Sequence, residues 1–196
     1  MQWRNTASRY GYVATALHWV IVAGIVAQYF LAEAAEDHEG ARPSAFSAAG
    51  LHNSIGITIL ALALLRVLWR VVELPPALPQ TMKKYERVLA RVTHIAFYAL
   101  LFALPLTGWA LVTAEQQATS FFGLFDLPQL RLGAQLPLEG GTLSEDQLEE
   151  IHEALFNVLL GLAALHAAAA LKHHFFDRDN VLRSMLPWSR RRERTQ

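Results

Sequence analysis

Apolar and charged residues are segregated along this chain rather than interleaved. Val13–Ala32, Pro43–Leu65, Val92–Ala114 and Ala154–Leu171 contain no Asp, Glu, Lys or Arg. Each run approaches or exceeds the roughly 18–20 residues that cross about 30 Å of hydrocarbon. The pattern predicts four membrane-spanning helices, at about 13–32, 47–72, 92–114 and 150–171, in a single domain covering residues 1–196. Four spans leave almost no chain for a separate soluble domain. The expected fold class is therefore an all-α membrane protein, an antiparallel bundle of four transmembrane helices.

Local signals refine the connections. Pro75, Pro76 and Pro79, followed by Lys83, Lys84, Arg87 and Arg91, predict a rigid turn and a short basic interfacial segment before span three. Pro105 lies inside that span and predicts a kink that neighbouring helices accommodate. Ser144 with Gln147 fits a capping box, so the fourth helix is expected to begin outside the membrane. The loop before it carries an aromatic patch, Phe121-Phe122-Gly123-Leu124-Phe125. Arg4 and Arg9 ahead of an apolar run also allow a cleaved signal peptide, which would remove His18. The run exceeds the 7–15 residues of a typical signal core, and the spanning reading is preferred.

Charge then orients the bundle. The formal net charge is zero, yet every Lys and Arg except Arg42 and Arg131 lies in the N-terminal tail, in the last turns of span two and the link after it, or in the C-terminal tail. The other two loops hold Glu33, Glu36, Asp37, Glu39, Glu115, Asp126, Glu139, Glu145, Asp146, Glu149 and Glu150. The positive-inside rule predicts a multi-pass protein with both termini cytoplasmic. The basic tail Arg190–Arg194 suits anionic lipid headgroups, and no nucleic-acid partner is expected. With no cysteine, c-type haem attachment, cysteine-ligated iron–sulfur clusters, blue copper and disulfides are all excluded.

The histidines carry the chemistry. His152 and His166 are fourteen residues apart in one span, a step that closes to within roughly 40° of whole turns and rises about 21 Å. One helix thus presents two imidazoles on a similar face at two depths. His18, early in span one, shares the inner depth with His166. His52, early in span two, shares the outer depth with His152. Ionisable groups inside a bilayer are costly and mark function. For any one of them an interfacial packing role is the simpler reading, but two depth-matched pairs can clamp two planar metalloporphyrins, giving a bundle that holds two non-covalent haems. Gly24, Gly56, Gly108 and Gly161, one per span, either make room for a macrocycle or let helices pack closely. His94, His173 and His174 fall at the inner boundary with Arg66 and Arg70, where a histidine can exchange protons with a quinone or merely face headgroups. His38 reads as a solvated loop residue.

Taken together, Ala16-Leu17-His18-Trp19, His52-Asn-Ser-Ile-Gly56 with Arg66 and Arg70, His94-Ile-Ala-Phe-Tyr98, Leu104-Pro-Leu-Thr-Gly-Trp109, His152, and His166 through His173-His174 to Pro187 resemble the prokaryotic cytochrome b561 family, four-helix di-haem quinone-reactive membrane proteins. The C-terminal run is similar to the superoxide oxidase branch. The resemblance implies haem b ligation by His18, His52, His152 and His166, and quinone contact by His173, with Arg70 beside it. It implies a respiratory oxidoreductase of the inner membrane of a bacterium that takes electrons from a periplasmic donor, superoxide in the sharpest form, and delivers them to ubiquinone. Superoxide is an anion drawn by positive potential, whereas Glu149-Glu150-Ile-His152-Glu153 is acidic. A cationic redox protein is the alternative donor. Two other readings are a haem-bearing anchor subunit of a periplasmic dehydrogenase and a histidine-dependent transporter without haem.

Overall fold

The structure, a computed structural model, describes residues 2–36, 44–79, 81–115, 120–130 and 143–186. The expectations on His38, Arg42, Arg131 and the tail Arg190–Arg194 lie outside those residues. Four helices are long and apolar enough to cross a membrane: α1 (Tyr12–Glu36), α2 (Ala48–Val72), α3 (Lys84–Ala114) and α4 (Glu145–Lys172). A short α5 (Val181–Met185) follows a π-helical turn at His173–Asp177.

The ends of these helices follow from side-chain capping. Ser47 accepts a hydrogen bond from the Gly50 amide and starts α2. Ser144 and Gln147 form the expected capping box at α4. α3 begins earlier than its apolar run, because the Glu86 carboxylate accepts a hydrogen bond from the Lys83 amide (3.0 Å) at its start and the Lys, Glu and Arg that follow are good helix formers. The basic stretch expected as a separate interfacial segment is instead the first two turns of α3, with Pro105 inside the same helix.

Consecutive helices run antiparallel. The Gln28 amide donates to the His52 carbonyl (3.0 Å) near one end of the α1/α2 contact, and Arg66 donates to the Ala14 carbonyl (3.2 Å) near the other. On the second pair, Thr107 meets His152 (3.0 Å) and Lys172 meets Glu86 (2.7 Å). The core has two apolar clusters. Ile21, Ile59, Ala63 and Leu101 tie α1, α2 and α3 together, and Leu100, Leu104 and Leu159 join α3 to α4. Ile25 packs against both. Val26, Phe30, Leu64, Leu68, Val158 and Leu165 stay exposed. Lipid tails are as apolar as these side chains, so close packing rather than water exclusion holds the helices in register.

A two-stranded hairpin, β1 (Ser120–Phe121) and β2 (Phe125–Asp126), closes the loop after α3. Its turn has positive φ at both Phe122 (50°) and Gly123 (72°), the signs of a type I′ turn. The fully buried Ser54 hydroxyl holds it to α2, accepting from the Phe122 amide at 3.0 Å. This places the hairpin over the His52 end of the bundle.

Candidate functional site

The histidines gather in two clusters at the two levels predicted. In the first, His52 on α2 faces His152 on α4, with ring centroids 6.3 Å apart and planes at 65°. Metal–imidazole bonds are about 2.0–2.1 Å long, and two of them end to end, with half the width of each ring, come to about this span. The separation of the two rings is thus of the size that two histidine ligands of one metal ion would need. Polar atoms nearby point the same way: His52 Nδ1 and Gln28 Oε1 are buried with no hydrogen-bond partner among the described residues. Such orphans are rare in native interiors. Both residues line a cavity with Asn53, Gly56, Pro105, Gly108 and Trp109. His152 is fixed from α3, where Gly108 permits its approach: a Cβ there would lie 3.0 Å from His152 Cε1.

The second cluster joins three helices. His166 meets the ring of His94 at 5.6 Å and that of Phe97 at 5.3 Å, both edge-on. His18 lies within electrostatic reach of Arg66, His166 and His94. His94, expected at the boundary with His173 and His174, is therefore a direct neighbour of His166. The extra turns at the start of α3 put it ten residues inside the helix, about 15 Å from its beginning.

Beyond this cluster, Arg70 lies 5.9 Å over the Tyr98 ring and within electrostatic reach of His94. His173, buried in the π turn, has different neighbours. Its Nδ1 lies 2.7 Å from Asp179 and 2.9 Å from Asp177. Glu86, His173 and Asp177 bring ligand atoms within 4.8 Å of one another, but the Lys172 ammonium already bridges Glu86 and Asp177 at 2.7 Å each. That ammonium supplies the positive charge these carboxylates need.

A model of the prokaryotic cytochrome b561 family matches residues 9–188. The chain belongs to that family. Among relatives, it is 35% identical over 191 residues to cytochrome b561 homolog 2 of Escherichia coli, covering 95% of each chain. It is 28% identical to cytochrome b561 homolog 1 of the same organism, over 87% of this chain and 93% of the relative. It is 29% identical to a probable superoxide oxidase CybB of Yersinia pestis, over 93% and 98% respectively. Membership makes this a multi-pass membrane protein of electron transfer, in a family whose cytochromes bind haem b. The b561 fold explains why histidines far apart in sequence meet in pairs across helices. Sequence reasoning did not find Gln28, Thr107, Asp177 or Asp179 at these sites. Thr107 stood inside the Leu104–Trp109 motif and Asp177 and Asp179 inside the C-terminal run that marked the resemblance, while Gln28 carried no local signal.

Proposed function

We propose that this chain is a di-haem b cytochrome of the bacterial inner membrane that passes single electrons from a donor at its acidic outer end to ubiquinone at its basic, cytoplasmic end. The observation that carries the reading is the stacking of two histidine clusters at two depths, the outer one with imidazoles facing at 6.3 Å. Haem b, when bound, would supply one-electron iron chemistry, and holding it by two histidines would suit it to electron transfer rather than oxygen binding. In this reading His52 and His152 hold the outer group, and His18 and His166 the inner one. Gly108 keeps His152 close, and the Leu100, Leu104 and Leu159 cluster keeps water from the space between the two levels.

At the cytoplasmic end, ubiquinone takes up two electrons and two protons to become ubiquinol. The Asp177 and Asp179 carboxylates hold one nitrogen of His173, which leaves the other free to meet a quinone carbonyl. Arg70, close to His94, adds positive charge on the same side. The name of the Yersinia relative supports superoxide as donor, each anion losing one electron to become dioxygen. Exposed Glu149, Glu150 and Glu153 beside His152 favour a second reading, in which a cationic periplasmic redox protein, or a dehydrogenase for which this chain is the membrane subunit, is the donor.

Haem quantification and reduced-minus-oxidised spectra of the purified protein test the core of this. Two haem b per chain are expected, falling to one in His152→Ala and one in His18→Ala, with His94→Ala keeping both. A wild-type protein with one haem or none, or a His152→Ala variant that keeps two, defeats the assignment. For the donor, haem reduction by pulsed superoxide is compared with reduction by a cationic cytochrome, with ubiquinone present. Recovery of a stoichiometric soluble subunit on gentle purification would favour the dehydrogenase form.

A further inference from the structure

Thr107 on α3 stands 3.0 Å from His152 Nδ1, across a sequence separation of 45 residues. A threonine hydroxyl has one proton to give. Here it donates to the Leu104 carbonyl at 2.9 Å, so towards the imidazole it can only accept. The Leu104 carbonyl itself lies within hydrogen-bonding reach of His152, and a carbonyl never donates. Two acceptors from one turn of α3 thus converge on one imidazole. The consequence is a fixed tautomer, with the proton on Nδ1 and a bare lone pair on Nε2. A neutral imidazole that must bind a metal needs that arrangement, and the group on its other nitrogen sets which tautomer is present.

The opposite ring is held from a different helix. Its Nδ1 makes no hydrogen bond among the described residues, the Gln28 side chain donates to the His52 carbonyl, and the Gln28 backbone lies within hydrogen-bonding reach of the His52 ring. The two outer imidazoles therefore have different partners. Gly108 completes the device, since only a residue without Cβ lets the His152 ring come this close to α3.

We infer that Thr107, with the Leu104 carbonyl, is the positioning residue of the outer site, holding His152 as its Nδ1–H tautomer and strengthening its Nε2 as an electron-pair donor. This rests on the reading of His52 and His152 as ligands of the outer haem. Accepting a hydrogen bond from Nδ1–H raises the basicity of the ligating nitrogen, and a more basic ligand favours ferric over ferrous iron. Partners of this kind change metal affinity or activity about 10–100-fold. Taking the lower end, removal of the hydroxyl shifts the ferric-over-ferrous preference about tenfold, which for one electron is about 59 mV.

The experiment is an equilibrium redox titration of the purified full-length protein, followed at the haem bands, for wild type, Thr107→Val and Thr107→Ser. Thr107→Val keeps the shape and removes the hydroxyl. Its outer component should titrate about 59 mV higher, while the inner component, an internal standard for folding, stays in place. Thr107→Ser restores an acceptor and should titrate as wild type. If Thr107→Val loses the outer haem altogether, recovery of that haem in Thr107→Ser supports the assignment, and its loss in both variants overturns it. Wild-type potentials in Thr107→Val, or an equal shift in Thr107→Ser, overturn it as well. Failure of the underlying reading looks different: His152→Ala would then retain two haems, whatever Thr107→Val does.

Discussion

At the scale of single residues, glycines that look alike in sequence have different work in the fold. A Cβ on Gly108 would lie 3.0 Å from His152 Cε1, whereas one on Gly24 would meet only the flexible end of Ile59, at 3.1–3.2 Å. Gly108→Ala must push back a ring held by Thr107, at an overpacking cost of about 1–3 kcal/mol, and is expected to lower haem content through the outer site alone. Gly24→Ala should leave both haem bands intact, because its neighbour there is the apolar side chain of Ile59 and not a histidine. Pyridine haemochrome quantification of the two variants checks this, and equal haem loss in both would refute the distinction. From sequence alone these glycines have two alternative roles, room for a macrocycle or close helix packing. Which applies depends on the rotation of α3 about its axis relative to α4, and no local pattern encodes that rotation. The same holds for Thr107. The meeting of His52 with His152 was legible because costly groups at one depth are informative before any helix is rotated, whereas that of His94 with His166 was not.

The start of α4 was readable, since a cap is a short-range event, whereas the start of α3 was not. Ser144 accepts from the Gln147 amide and Gln147 returns a bond to the Ser144 amide at 3.0 Å. Glu145 and Asp146 add negative charge in the first turn of α4, where the helix dipole favours it. Ser144→Ala is expected to cost about 1 kcal/mol in detergent unfolding without altering the haem bands. The facing end of α3 opposes it electrostatically. Burial raises the Glu115 carboxyl above its ordinary value of 4.5, and Glu145 and Glu149 raise it further. A folded-state value above the unfolded one means that stability is fully present below about 4.5 and declines as pH rises through the folded value. Glu115→Gln should therefore match wild type at acidic pH and be the more stable protein at neutral pH. A thermal midpoint that is lower at neutral pH would contradict this. The hairpin Ser120–Asp126, by contrast, was not foreseen. Its turn needs a positive φ at Phe122, uncommon outside glycine, and the Ser54 hydroxyl that anchors it comes from a different helix.

Across the whole molecule, the charge asymmetry behind the proposed orientation would also set the field that the proposed electron donor meets. Lys83, Lys84, Arg87 and Arg91 lie at one end, while Glu145, Asp146, Glu149 and Glu150 are exposed at the other, beside the His152 site. An acidic rim repels an anion and attracts a cation over distances set by the screening length, about 30 Å at 0.01 M salt and about 8 Å at 0.15 M. Raising salt between these limits is therefore expected to speed haem reduction by superoxide and to slow reduction by a cationic cytochrome. A paired Glu149→Gln and Glu150→Gln variant should flatten both dependences, because it removes charge while leaving the capping box and His152 in place. Stopped-flow rates at the two ionic strengths decide it. If superoxide instead slows as salt rises, a positive local potential outweighs these carboxylates at the outer site, and the case for a cationic protein donor fails.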